Sequence, residues 1–187
     1  MSRILIVDDE SSILKSLRRL LLLAPGSAAG RSDRFDVDCC EDPFEALKKA
    51  RYTAYDLVLS DYRMPGMDGV QFLQAFRALQ PGAPRLILSG YADLNGLIRA
   101  INEAQITRFI AKPWNDYELI SAIGQALALR DATLENQHLA NQMRLAQGSL
   151  TAEQVERCRL EAEEPGITYV NWGPDGSVLI DETLVDD

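Results

Sequence analysis

Cysteine and histidine are scarce in this chain, and long apolar runs are missing. Three cysteines occur, Cys39, Cys40 and Cys158. They cannot all pair and two are neighbours, so no disulfide framework is expected, and the reducing cytoplasm is the expected location. Each reads as a small buried hydrophobe. The one histidine, His138, cannot supply a zinc centre that needs several His or Cys ligands. No stretch approaches the roughly 20 apolar residues of a membrane span, so no membrane partner is expected. The opening Met1-Ser2-Arg3-Ile4-Leu5-Ile6-Val7-Asp8 turns acidic too early for a secretory leader. Positive charge is short as well: 19 Lys and Arg against 28 Asp and Glu leave a net charge of -9. That argues against a nucleic-acid partner, because phosphate binding needs a basic footprint.

What is present is ordinary for a soluble globular protein, with 47% apolar and 25% charged residues. The 187 residues suffice for one sizeable domain and an appendage. Charge marks the division. Residues 1–150 hold 18 acids and 17 bases, whereas residues 151–187 hold 10 acids against Arg157 and Arg159. The balance moves from -1 to -8, so the acidic tail is a separate piece.

Short apolar runs alternate with helical periodicity up to about residue 130. Ile4–Val7, Phe35–Cys40, Leu57–Leu59, Arg85–Leu88 and Arg108–Ala111 read as strands. Helices are expected through Ile13, Leu14, Leu17, Leu20 and Leu21, over Pro43–Arg51 capped by Asp42, over Val70–Leu79 and over Leu94–Ala104. Five buried strands alternating with helices indicate a parallel α/β sheet covered on both faces. Pro25–Arg34 reads as a tolerated surface insertion. A last helix starts near Asn115 or Asp116 and runs to about Gln147 without proline, roughly 48 Å. Leu119, Ile120, Ile123 and Leu127 can pack its first half on a sheet. Leu134, Leu139, Met143 and Leu145 are sparse in its second half, and His138 and Asn141 interrupt any heptad register, so a projecting stalk is expected, with a self-paired coiled coil as an alternative. Thr151 and Gln154 form a candidate capping box for a helix over Ala152–Glu163. Ile167–Trp172 and Ser177–Asp181 flank Gly173-Pro174-Asp175-Gly176 as a small hairpin.

Ligands of an open parallel sheet bind beyond the carboxyl ends of its strands. Asp8 and Asp9 follow the first strand, Asp61 the third, Ser89 the fourth and Lys112 the fifth. Any one of these could be a loop cap or a solvated charge; all five at corresponding ends point to a site. Carboxylates about 4 Å apart repel by roughly 4 kcal/mol at an effective dielectric of 20, so they need a compensating cation. An all-oxygen site suits Mg²⁺. An arriving phosphoryl group would find its charge neutralised by Mg²⁺ and Lys112, a carboxylate nucleophile, and the Ser89 hydroxyl as a donor.

These residues resemble a known family, the receiver domain of two-component response regulators. The resemblance covers about residues 3–130 and rests on Ile4-Leu5-Ile6-Val7-Asp8-Asp9-Glu10, Ser60-Asp61-Tyr62-Arg63-Met64-Pro65-Gly66-Met67-Asp68-Gly69, Leu88-Ser89-Gly90 and Ala111-Lys112-Pro113-Trp114. It implies a flavodoxin-like, doubly wound sheet in the order 2-1-3-4-5. It also implies that Asp61 accepts phosphate from a phosphohistidine on a histidine kinase or phosphotransfer protein. Asp9, Asp61 and the backbone carbonyl of Arg63 would hold Mg²⁺, with Asp8 acting through water. Lys112 would pair with the phosphoryl group after a cis Lys112–Pro113 bond. Ser89 and Phe109 would form the switch, Phe109 by packing alone since it lacks a hydroxyl. Arg63 and Tyr91 flank the expected path of the hydrolytic water and are bulky enough to slow dephosphorylation. The chain then divides into a receiver domain at 1–130, a helical stalk at 131–150 and an acidic helix-and-hairpin tail at 151–187.

Trp114 is similar to that of receivers in hybrid sensor kinases and ahead of cyclic-di-GMP phosphodiesterase modules. A sole histidine excludes a His-Asp metal phosphodiesterase in these 187 residues, and no glycine-rich ATP loop or cyclase motif is read, so no separate enzymatic output is expected. The short acidic tail does not suit a DNA-binding helix-turn-helix. It would dock a downstream protein partner, join a homodimer with the last helix, or fold back in support or autoinhibition. The expected function is a phosphorylation switch acting through protein contacts. The alternative is a phosphate sink or relay intermediate with no regulated output partner. A third reading, a pseudo-receiver whose site never turns over, runs against the intact Asp8, Asp9, Asp61, Ser89 and Lys112.

Overall fold

A computed structural model describes residues 1–24, 35–90, 104–147 and 151–163. Five strands, β1 (Ser2–Val7), β2 (Phe35–Cys40), β3 (Leu57–Asp61), β4 (Arg85–Ser89) and β5 (Arg108–Ala111), form one parallel sheet in the order β2-β1-β3-β4-β5. The strand order steps outward both ways from β1 and β3, which leaves a crevice at their carboxyl ends. β1, β3 and β4 are almost wholly buried because helices cover both faces, so their sequences read as continuous apolar runs rather than alternating ones.

Alternate residues of each strand feed two cores. Ile4, Ile6, Leu57, Leu59, Leu86, Leu88 and Ile110 pack with α1 (Ser11–Leu23) and with α4 (Asp116–Ala146). Leu5, Val7, Val58 and Ile87 face the other way, onto α2 (Pro43–Ala50) and α3 (Gly69–Leu79), with the half-buried Phe109 against the same cluster. Asp42 caps α2 through the Phe44 N–H at 2.9 Å, with Pro43 in the first turn, as expected. Asn115 caps α4 at the Tyr117 and Glu118 N–H groups. Helix α5 (Ala152–Glu163) opens with the reciprocal Thr151–Gln154 pair and packs against α4. The expected helix at 94–104 lies outside the described residues except Ala104. So do the 25–34 insertion, the hairpin and the Cys158 side chain.

Two buried polar clasps hold the sheet at its amino end. Arg85 enters the core at the start of β4, and its guanidinium donates to the carbonyls of Ala83 (2.7 Å), Ala104 (3.0 Å), Pro81 (3.2 Å) and Gln105 (3.3 Å). Burial pushes this cation's pKa down, and four carbonyls are what keep it there. Gln80 does the same for the α2–β3 loop, donating to Ala50 and Thr53 carbonyls and accepting from the Tyr55 N–H.

Tyr55, only 2% exposed, donates its hydroxyl to Asp38 Oδ2 at 2.9 Å. Burial first, and then this bond and the Asp38 charge, push the phenol well above its ordinary 10.0. A folded-state value above the unfolded one means the contribution is complete below pH about 10 and is lost as pH rises through the folded value. Tyr55→Phe is therefore expected to cost about 1 kcal/mol near neutrality. Its deficit relative to wild type should shrink above pH about 10. Urea midpoints of both proteins across the alkaline range check this; a constant deficit would remove the phenol from the account.

Candidate functional site

The polar residues sit along one edge of the sheet because each ends, or just follows, an apolar strand. Register sets them side by side: Val7 pairs with Ser60, Asp61 with Leu88, and Ser89 with Ala111. Two backbone bonds close the edge, from the Tyr62 N–H to the Leu88 carbonyl (2.9 Å) and from the Lys112 N–H to the Ser89 carbonyl (2.8 Å). The Lys112–Pro113 bond is cis, as the resemblance implied.

Asp8, Asp61 and Lys112 form one electrostatic unit. Lys112 Nζ donates to Asp8 Oδ2 at 2.8 Å and contacts Asp61 Oδ1. The other oxygen of each carboxylate accepts a backbone N–H two residues on, Glu10 to Asp8 Oδ1 at 2.9 Å and Arg63 to Asp61 Oδ2 at 2.6 Å. Asp8 is fully buried and Asp61 is 6% exposed. Burial alone would lower the Lys112 pKa; hydrogen bonds and charge from Asp61 and Asp8 overcome this and hold it raised, so the ammonium is fixed as a cation. Two carboxylates against one ammonium leave a net negative site, suited to a further hard cation or to an electrophile.

The loop after Asp61 is closed on itself. Asp68 accepts from the Gln71 N–H at 2.8 Å while Gln71 Oε1 accepts from the Asp68 N–H at 3.1 Å, a capping box that starts α3 at Gly69. The Gly69 N–H donates to the Tyr62 carbonyl at 2.9 Å. A Cβ on Gly69 would lie 2.0 Å from the Asp61 carbonyl oxygen, so only glycine lets the helix start this close to the strand end. The sequence begins this helix at Val70, one residue late, and gives Gly69 no structural role.

The other site residues fall as follows. Ser89 is 2% exposed and its hydroxyl donates to the Gly90 carbonyl at 3.3 Å. Phe109, one residue out of phase with Ile110, is half-buried against the α2 and α3 core. Arg63 is exposed, and Tyr91 lies outside the described residues. Asp9 is exposed just past Asp8, and no three carboxylates converge into a metal-holding group among the described residues. The donor chemistry still fits Mg²⁺, which is held by one or two carboxylates with waters and phosphate oxygens rather than by a full protein cage. A groove of about 840 Å³ between the α3–β4 loop and α4, lined by residues such as Pro81, Arg85 and Thr133, shares no residue with this unit.

This fold and this edge define a class, and sequence comparison agrees: the response regulator receiver domain model matches residues 4–124, and the chain belongs to that family. It is 36% identical over 126 residues to the hydrogenase transcriptional regulatory protein HoxA of Bradyrhizobium diazoefficiens, covering 67% of this chain and 24% of that one. It is 33% identical over 131 residues to the transcriptional regulatory protein PrrA of Mycobacterium leprae, covering 70% and 52%. The chain thus spans about a quarter to a half of these curated relatives, and their whole-protein activities belong to the longer chains. Among solved structures, the signal receiver domain of an HD domain-containing protein from Pseudomonas fluorescens superposes with a TM-score of 0.62 at 34% identity, covering 70% of this chain and 98% of that one. A receiver domain protein from Clostridium thermocellum gives 0.61 at 27% identity, covering 71% and 99%.

Proposed function

We propose that Asp61 accepts a phosphoryl group from a histidine kinase or phosphotransfer protein and that the modified chain changes its protein contacts in the cytoplasm. The observation that carries this reading is the Asp61 carboxylate held at the sheet edge, one oxygen against the Lys112 ammonium and the other on the Arg63 N–H. In the transfer an Asp61 oxygen bonds to phosphorus as the P–N bond to the partner's histidine breaks, and the imidazole keeps its lone pair and takes up a proton. Asp9, Asp61 and the Arg63 carbonyl, with Asp8 acting through water, would hold Mg²⁺, which supplies charge neutralisation for the phosphoryl oxygens. Lys112 follows the incoming negative charge, keeping its bond to Asp8. The Ser89 hydroxyl turns from the Gly90 carbonyl to a phosphoryl oxygen, and Phe109 repacks in the space this vacates. Such a switch need only bias two arrangements a few kcal/mol apart.

Mass measurement after treatment with acetyl phosphate and Mg²⁺ tests the chemistry: one phosphoryl group per chain is expected, and no uptake would refute the reading. A binding partner captured only in the presence of beryllofluoride would support a regulated output, whereas a short phosphorylated lifetime with no such partner favours a phosphate sink. Arg63 and Tyr91 are expected to shield the acyl phosphate by size. The double variant Arg63→Ala, Tyr91→Ala should shorten the phosphorylated lifetime several-fold, and an unchanged half-life in a label-decay assay would reject the shielding.

A further inference from the structure

Helix α4 leaves the sheet after Leu127 and continues to Ala146. On that outer part, Leu129, Ala132, Asn136, Leu139, Met143 and Ala146 follow one another at alternating steps of three and four. All six are exposed, the three large ones at 64% (Leu129), 47% (Leu139) and 65% (Met143). Of the sparse apolar residues in this half of the helix, Leu139 and Met143 belong to the stripe, whereas Leu134 is half-buried on another side. The stripe is not what α5 covers: with α5 already against α4, Leu139 and Met143 stay open.

We propose that this stripe is the seam of a parallel, in-register, two-stranded coiled coil with a second copy of the chain. It gives a surface to the homodimer expected from the last helix, and it does not depend on phosphate uptake by Asp61. Steps of three and four are the a and d positions of a heptad, which face a partner helix of the same kind. Leu129, Asn136 and Met143 occupy a; Ala132, Leu139 and Ala146 occupy d. Asn136 selects the arrangement. In a parallel, in-register pair a faces a, so the two Asn136 amides bond to each other. In an antiparallel pair a faces d, and the amide would be buried against Ala132 or Leu139 without a partner. Charge agrees. The flanking positions 128, 133, 135, 140, 142 and 147 hold Ala, Thr, Glu, Ala, Gln and Gln, so the lone Glu135 meets Ala140 of the second copy and no like charges oppose. The seam spans only roughly 27 Å, too short to nucleate alone. Burial of Leu119, Ile120, Ile123 and Leu127 on the sheet forms the helix beforehand, so association does not bear the cost of ordering it.

Sizing by light scattering or sedimentation, with and without beryllofluoride and Mg²⁺, tests the proposal on the full chain. Wild type is expected to be dimeric in at least one state. Leu139→Glu with Met143→Glu should weaken association by more than about a hundredfold. Its circular dichroism should be unchanged, since both side chains are exposed in the single chain. A wild type that is monomeric in both states overturns the proposal, and so does a dimer indifferent to the double variant. Orientation is read separately: on mild oxidation Met143→Cys chains should form like-with-like covalent dimers above the wild-type background. A dominant mixed product between Leu129→Cys and Met143→Cys chains would mean an antiparallel pair and reject the seam as drawn. Phosphoryl uptake by Asp61 is read by mass in the same samples, so failure there and failure of the seam are distinguishable.

Discussion

Asp61→Asn is expected to abolish phosphoryl incorporation from acetyl phosphate while leaving the fold intact. The amide is nearly isosteric, so the Arg63 N–H can still donate to its oxygen, but it presents a weak nucleophile where an anion is required. The substitution also leaves the Lys112 ammonium with the Asp8 carboxylate as its one fully charged partner in this unit. Wild type should gain the mass of one phosphoryl group and the variant none, with unchanged far-ultraviolet circular dichroism. Incorporation in the variant equal to wild type would move the chemistry elsewhere in the chain. Loss of the fold would show that the pair with Lys112 is chiefly structural.

Gly69→Ala should be the most destabilising single-methyl substitution in the β3–α3 loop. The added carbon would lie 2.0 Å from the Asp61 carbonyl oxygen and 3.0 Å from both the Asp61 carbonyl carbon and the Tyr62 Cα. All of these atoms are backbone, fixed on one side by β3 and on the other by the capping box of α3, so neither side yields cheaply. We expect a loss of about 3 kcal/mol or more. We also expect reduced phosphoryl uptake, because the displaced atoms carry the nucleophile. Gly82, in the α3–β4 loop, is the control: a Cβ there meets nothing within 4 Å, and Gly82→Ala should change stability by no more than about 1 kcal/mol. Urea denaturation of the two variants gives the comparison. Equal, small effects would mean that the loop after Asp61 slides freely.

The strand ends were legible in the sequence because each apolar run stops at a charged or hydroxyl residue. Asp8, Asp61, Ser89 and Lys112 accordingly fall on one edge of the sheet. Their roles in phosphate chemistry remain with the proposal. What was not legible depends on pairings far apart in the chain. Nothing local to Arg85 says that its guanidinium will turn inward to collect carbonyls from two loops, nor that Tyr55 will reach Asp38. Lys112 could be placed near the carboxylates but not between them. Gly69 looked like part of a loop because glycine weakens a helix start on propensity alone, and the close approach of the strand outweighs that preference. Along the outer part of α4, sequence alone does not separate the half-buried Leu134 from the exposed Leu129 and Leu139; burial in the fold does.

Trp114 stands two residues beyond Lys112 and is packed into the core shared by α1 and α4, immediately before the Asn115 cap. The site cation and the base of the longest helix are therefore joined by a single short, packed connector. The helix is packed on the sheet as far as Leu127 and projects roughly 28 Å beyond it, so a tilt of about 5° passed on from Trp114 would displace its far tip by about 2.5 Å. Leverage of this kind would turn a sub-ångström adjustment around one carboxylate into a movement large enough for another protein to sense.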